Sequence, residues 1–347
     1  MSASAPAPLR AAPGRGLAQG LRAASRAPTV RLIGRRVAAA IPVLFGVTLL
    51  TFIVMNFLPG DAASELLGAN ATPAEIHQLD IKLGLDRPFL TRYGEWLHGV
   101  VTGHLGTSLA SGQSVTSIIG QDLPVTFELV AFAFLVSLVL AVPFALLSAR
   151  RPNGIVDRLG MMLSMAGLSI ANYVLALVLI YVFAVKLAVL PAIGWVPPGQ
   201  SISQNIRYLT LPAVSIGLGL LCFYTRLLRA DVLEQMQGED YVVTARAKGV
   251  GPWRVLVRHA LRNSLFGLIT IVALNLGTLL GATVVIEDIF GIPGIGRELL
   301  QAINNRDVPV VEGTVLVFAV IVVLANLLAD ILYSVLDPRI RYDRATG

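Results

Sequence analysis

Charged residues along this chain leave six long apolar runs between them. Positions 37–60 carry no charge between Arg36 and Asp61, 129–149 none between Glu128 and Arg150, and 159–185 none between Arg158 and Lys186. Positions 208–225 separate Arg207 from Arg226, and 263–286 separate Arg262 from Glu287. Positions 313–329 separate Glu312 from Asp330, and apolar character resumes as far as Leu336. A helix rises about 1.5 Å per residue, so about 20 mostly apolar residues cross about 30 Å of hydrocarbon. The pattern predicts six spans, at 37–60, 125–149, 159–185, 208–227, 263–286 and 313–336. The fourth is short and has Pro212 near its start. One more charge-free stretch, between Lys186 and Arg207, reads PAIGWVPPGQSISQN and is expected to be a loop because of its prolines.

Composition narrows the class. The 347 residues are 55% hydrophobic and 14% charged, with a mean hydropathy of +0.73. Soluble domains are about 45–50% apolar and about 25% charged. The excess excludes disorder and argues against an ordinary soluble enzyme. A single cysteine, Cys222, excludes an intrachain disulfide and a Cys-rich zinc site. The net charge of +6 would suggest nucleic acid in a soluble protein, so the distribution of charge has to decide.

Of the 27 basic residues, 20 fall in the alternate segments 1–36, 150–158, 226–262 and 337–347. Basic residues concentrate on the cytoplasmic side of membrane proteins. Both termini are therefore expected in the cytoplasm, with 61–128, 186–207 and 287–312 outward. The outward side also holds acids such as Asp61, Glu65, Glu75, Asp80, Asp86 and Glu95. The first 32 residues read as a disordered basic tail near anionic lipid. They lack the apolar core of a secretory signal, and no nucleic-acid partner is expected.

Two loops are long enough to carry structure. In the outward segment 61–124, Thr72, Pro73 and Glu75 form a capping-box pattern that opens a helix. Leu90, Tyr93, Trp96 and Leu97 share one face of a second helix, so a small helical outward subdomain is expected. The inward segment 228–262 is amphipathic and broken at Gly249, Gly251 and Pro252. One short helix carries Tyr241 to Lys248 and another starts near Trp253. Tied to spans at both ends, such a helix can transmit force or can lie flat on lipid.

The sequence DYVVTARAKGVGPWRVLVRHALRN, residues 240–263, resembles the coupling loop of type I ATP-binding-cassette (ABC) importer permeases. That loop has the general form E-A-A, three residues, Gly, nine residues, I-x-L-P. Here Ala245, Gly249 and Leu261 match, while Val243, Thr244, His259 and Arg262 depart. The departures resemble the peptide/nickel branch of the family. So do IPVLFGVTLLTFIVMNFLPGD (41–61), IEDIFGIPGIGRELLQAI (286–303) and LYSVLDPRIRY (332–342). The resemblance covers about 33–342, with 343–347 as a short tail.

The resemblance implies an all-α polytopic membrane protein with six transmembrane helices, type I ABC-importer-like, with an outward subdomain between the first two. It implies a permease subunit forming half of a translocation channel for a peptide-class solute. Nickel, glutathione, haem and oligosaccharides are the other solutes of the branch. The implied partners are a homologous second permease, two cytoplasmic ATPase subunits, an extracytoplasmic solute-binding protein and membrane lipid. The chain itself is expected to hold no cofactor, with ATP and Mg on the ATPase subunits. The implied coupling residues are Asp240, Tyr241, Thr244, Ala245, Arg246, Ala247, Lys248 and Gly249. Ala245 and Ala247 would be small enough for an ATPase groove, Arg246 and Lys248 would be its polar contacts, and Gly249 would allow close approach.

Other signals are weaker. No G-x-x-x-x-G-K-[ST] phosphate loop is present. The run GIPGIG (291–296) lacks that lysine and follows a span, so Phe290, Gly291, Pro293, Gly294 and Gly296 read as an outer turn or gate. His77, His98 and His104 lack the spacing of a helical metal pair, and no metal is expected. Asn326 and Asp330 are one turn apart inside the last span, as helix-packing or solute-facing polar groups. Glu128 is read as the start of the second span. A membrane-embedded enzyme would need several converging ionisable groups, and only Asp330 is expected inside a span. An ion-coupled transporter would favour internal repeats.

Overall fold

The computed structural model describes residues 28–57, 67, 71–84 and 86–336. The tail up to residue 27, Asp61, Glu65 and the segment 337–347, including the tail at 343–347, lie outside them. The described residues form helices α1 (Pro28–Phe57), α2 (Pro73–Leu83), α3 (Phe89–Val101), α4 (Val115–Arg150), α5 (Ile155–Ser169) and α6 (Asn172–Leu179). These are followed by α7 (Ile202–Gly238), α8 (Asp240–Ala247), α9 (Pro252–Val255), α10 (Leu261–Phe290), α11 (Ile295–Asn304) and α12 (Val308–Leu336). Five runs are long and apolar enough to cross a membrane: 34–57, 115–150, 202–237, 252–290 and 308–332. The bent pair α5–α6 makes a sixth.

The helices overrun the charge-free runs. α4 starts ten residues before the expected 125, so Glu128 lies inside it rather than at its start. α7 continues to Gly238, so residues 228–238 are helix and the loop expected at 228–262 opens at Glu239. The physical reason is one-sided burial: Leu228 and Val232 are fully buried while Arg226 and Glu234 on other faces are not. A charge ends an apolar run in sequence, but a long polar side chain on an exposed face does not end a helix.

The span expected at 159–185 is two helices bent by 102°. Ile170 (φ −87°, ψ 125°) and Ala171 (φ −66°, ψ 137°) are extended, which breaks the hydrogen-bond ladder between α5 and α6. A count of uncharged residues cannot detect such a bend. α6 then widens into a π-helical turn at Ile180–Lys186.

The core lies between α4 and α7. Leu129, Ala133, Ala141 and Ala145 of α4 meet Leu209, Ala213, Ile216, Tyr224 and Leu228 of α7. A Cβ at Gly217 would stand 3.0 Å from the Ala133 carbonyl oxygen, so this glycine allows the backbones to approach. Many large apolar side chains on the outer faces remain exposed, including Phe57, Met162, Leu163 and Tyr181. That is the surface a lipid-embedded bundle needs.

The bundle has two distinguishable ends. The basic end carries the 151–154 turn and 239–251. The opposite, acidic end carries α2, α3, the 187–201 loop and α11. There the Thr72–Glu75 capping box forms, with Pro73 in the first turn and Gly84 (φ 67°) closing α2. The Thr72 backbone N–H and hydroxyl both donate to Glu75, and these bonds hold its carboxyl below the usual pKa. α3 lies on α1: Tyr93 is buried, shares a hydrogen bond with Thr48 at 2.9 Å and packs edge-on to Phe45 and Phe52. Leu90, expected on that face, is 76% exposed. Phe89, edge-on to Phe52 at 4.9 Å, takes its place because positions four apart align more closely on α1.

Candidate functional site: the 239–251 segment and the acidic end

α8 is an eight-residue helix with Asp240 in its first turn, where an acid favours the helix dipole. It closes at Lys248 and Gly249, whose φ of +79° favours glycine. The Gly249 N–H donates to the Arg246 carbonyl and the Val250 N–H to that of Ala245. Gly251 precedes α9, and Pro252 takes its first position, where no N–H is needed.

The expected coupling residues divide into two sets. Ala245 is buried with Val242 and Val255 in a small core that also includes Met236, Tyr241 and Val250. It therefore faces the chain's own packing. Tyr241 donates to Gln235 Oε1, and Arg246 donates to the Met236 carbonyl at 3.3 Å, so both fold back on the end of α7. Asp240, Thr244, Ala247, Lys248 and Gly249 are exposed together with Val243, which is 63% exposed. Val243 stands where the general form of the coupling loop has a glutamate, so the sequence pattern does not single it out.

Two polar contacts hold the stem of this segment. Arg229 of α7 donates through Nε and Nη2 to the buried Asp157 of α5, which also accepts from the Asn153 N–H at 2.8 Å. Arg150 lies over the Trp253 ring at 5.8 Å.

At the acidic end the GIPGIG run is packed rather than open. Phe290, Ile292, Gly294 and Gly296 are buried, while Gly291 (φ 62°) is half-buried and Pro293 is exposed. The turn closes around Glu287, which is fully buried at the end of α10. Its carboxylate accepts from Thr126 Oγ1 at 2.7 Å, Gly296 N at 2.8 Å and Arg297 N at 3.1 Å. The amides that would cradle a phosphate are taken by the chain's own acid.

The neighbouring loops join this turn. The Gly194 N–H donates to the Phe290 carbonyl at 2.8 Å, and Trp195 Nε1 donates to Glu128 Oε2 at 3.2 Å. Asp307, also buried, accepts from Ser108 Oγ at 2.5 Å and from the Leu109 and Ala110 N–H groups at 3.1 Å. Burial, and then the nearby Asp307 carboxylate, push the Glu298 acid above its ordinary pKa. Glu312, another buried acid, has one carboxylate oxygen without a hydrogen bond.

Glu287, Glu312 and Asp157 correct the expectation that Asp330 is the one ionisable group inside a span. Glu287 and Glu312 had served as span ends because the apolar runs stop at a charge. Asp330 itself is paired with Arg36 of α1, Nε to Oδ2 at 2.8 Å and Nη2 to Oδ1 at 2.9 Å. With Asn326 they form the polar end of a groove of about 880 Å³ between α1, α10 and α12, whose remaining lining is mostly apolar, with residues such as Val284 and Phe318, and includes Thr278. No group of three or more His, Cys, Asp or Glu suited to a metal exists among the described residues. His77, His98 and His104 are not brought together in such a group.

A helical bundle with apolar outer faces and a short exposed helix between two spans is the build of a polytopic membrane protein. Residues 141–342 match the family described as "Binding-protein-dependent transport system inner membrane component", and residues 29–130 match its N-terminal family. A putative peptide transport system permease protein of Brucella abortus is 39% identical over 312 residues, covering 90% of this chain and 99% of that protein. A dipeptide transport system permease protein of Alkalihalophilus pseudofirmus is 37% identical over 328 residues, covering 89% and 98%. A glutathione transport system permease protein of Pectobacterium atrosepticum is 35% identical over 308 residues, covering 89% and 98%. The chain belongs to the binding-protein-dependent ABC importer permease family. It is a multi-pass inner-membrane transport component rather than an enzyme, and it works with an ATPase and a substrate-binding protein.

Proposed function

We propose that this permease forms half of the channel of a peptide importer, with the acidic end outward and the basic end and both termini in the cytoplasm. The observation that carries the mechanism is α8: a short exposed helix, fixed at one side to α7 and at the other to α9 and α10. Asp240, Val243, Thr244, Ala247, Lys248 and Gly249 form the face that seats on an ATPase subunit. Tyr241, Ala245 and Arg246 lock that face to the spans. Two ATPases carrying ATP and Mg, a second homologous permease and an outward binding protein complete the complex. ATP-driven closure of the ATPases moves α8 and, through α7 and α10, the channel walls. The turn Phe290–Gly296 is part of the outer gate, and Asn326 and Asp330 border the channel side of the last span. The expected regions are the tail at 1–32, the permease at 33–342 with its outward subdomain at 61–124, and a tail at 343–347.

The peptide class is supported by the relatives with peptide and dipeptide transport in their names. Glutathione, itself a short peptide, is the second reading, supported by the Pectobacterium relative. The test is uptake by the reconstituted complex. A labelled dipeptide, a longer peptide and glutathione compete for transport, and failure of all three to enter would overturn the class. Orientation is read by single-cysteine labelling in a Cys222→Ser background. An impermeant reagent applied outside should modify His77→Cys and spare Lys248→Cys; the reverse pattern would invert the topology.

A further inference from the structure

Glu287 sits where an external anion would normally be held. The first N–H groups of a helix have no partner within it and favour negative charge. At the start of α11 three consecutive donors are taken up by two side chains of other helices. Ile295 N donates to Thr126 Oγ1 at 3.0 Å, and Gly296 N and Arg297 N donate to Glu287 Oε2 at 2.8 and 3.1 Å. Thr126 in turn donates to Glu287 Oε1. There is no slack around these atoms. A Cβ at Gly294 would stand 2.4 Å from Glu287 Oε2, and one at Gly296 would stand 2.6 Å from Val284 Cα. The turn is thus bonded to α4 and α10 at once, with no cation among the donors.

α10 connects this brace to the other end of the molecule. Its start follows α9 and a π turn directly after the 240–249 segment, and Glu287 lies in its last turn. A rod of 30 residues reaches about 45 Å. We propose that Glu287, with Thr126, is a positioning residue for transport: it makes the 291–297 turn move as one body with α4 and α10. A displacement delivered at α8 then arrives at the outer mouth, whereas an unbraced turn would absorb it as a hinge. This rests on the coupling reading of α8.

The complex with its ATPases, second permease and binding protein is reconstituted with Thr126→Val, Thr126→Ser, Glu287→Gln or Lys248→Glu. Two quantities are read: solute moved per ATP hydrolysed, and amide hydrogen exchange across 291–297. Thr126→Val and Glu287→Gln should speed exchange at 295–297 by about tenfold. They should also lower transport per ATP by about fivefold while hydrolysis continues. Thr126→Ser, which keeps the hydroxyl, should behave as wild type. Faster exchange with unchanged transport per ATP would make the contact structural only and overturn the proposal, as would unchanged exchange. If Thr126→Val and Glu287→Gln gave no assembled complex while Thr126→Ser did, the contact would be a folding requirement and the proposal would fall. Lys248→Glu separates the two readings. It should lose solute-stimulated hydrolysis, and normal coupling in that variant would remove the coupling assignment itself.

Discussion

The two ends of this bundle anchor their connecting segments differently, although each buries an acid, Asp157 at the basic end and Glu287 and Asp307 at the acidic one. At the acidic end, Glu287 and Asp307 are buried and each accepts from backbone N–H groups of another segment. At the basic end, Asp240 and Lys248 are exposed, and α8 rests on a small core of Val242, Ala245 and Val255. A buried carboxylate with several donors fixes the segments that supply them, because leaving those donors unpaired is costly. An exposed helix with few anchors costs little to displace, as the proposed seating on an ATPase subunit requires. Under the coupling reading proposed for α8, stiffness and contact are allotted to opposite ends, with α7 and α10 running between them.

Substitutions at the two ends should differ in their effect on stability. Gly294→Val should have the largest effect, since even a Cβ there overlaps the Glu287 carboxylate. A loss of about 3 kcal/mol or more should appear as a collapse in monodisperse protein on size exclusion. Asp157→Ala strands the Arg229 guanidinium and should cost about 3 kcal/mol, read as a lowered Tm in nanodiscs. An unchanged Tm would mean that the basic end is held by apolar packing alone. Asp307→Ala leaves two N–H groups and the Ser108 hydroxyl without their acceptor and should cost about 2 kcal/mol. Faster exchange at 108–110 should accompany it.

Arg36→Gln removes a pair whose Arg side chain is half exposed, and should cost about 1 kcal/mol or less by the same melting assay. Ala247→Glu lies on the exposed face of α8 and should change stability by less than about 0.5 kcal/mol. It should nevertheless abolish uptake by displacing the ATPase. Normal uptake there would undo the division of labour between the ends.

Much of the architecture is legible in sequence. Apolar runs mark where helices can cross a membrane, and the capping box at Thr72–Glu75 is local chemistry that forms as read. Gly249, Gly251 and Pro252 break the 239–262 segment as expected, since each acts through its own backbone. The family motifs mark the 240–249 segment, although not which of its faces is free. Ala245 shows why: a small residue suits a partner's groove and the chain's own core equally well.

Properties that depend on near neighbours and on composition are readable from the sequence: membrane residence, the apolar runs long enough to cross, and the local breaks at Thr72–Glu75 and at Gly249, Gly251 and Pro252. Only the tertiary structure decided which charges are buried. Glu287 and Glu312 look like span ends because a charge interrupts an apolar run, and Asp157 looks like part of the turn before one; the donors that satisfy the buried acids lie 161 residues away for Glu287 and 72 for Asp157. The 102° bend between α5 and α6 is equally non-local in origin. Cys222 of α7 packs against Gly167, and Gly219 faces Asn172, on either side of two extended residues. Periodicity reports the side chains that want burial, whereas satisfaction of a buried polar group is an account kept across the whole fold.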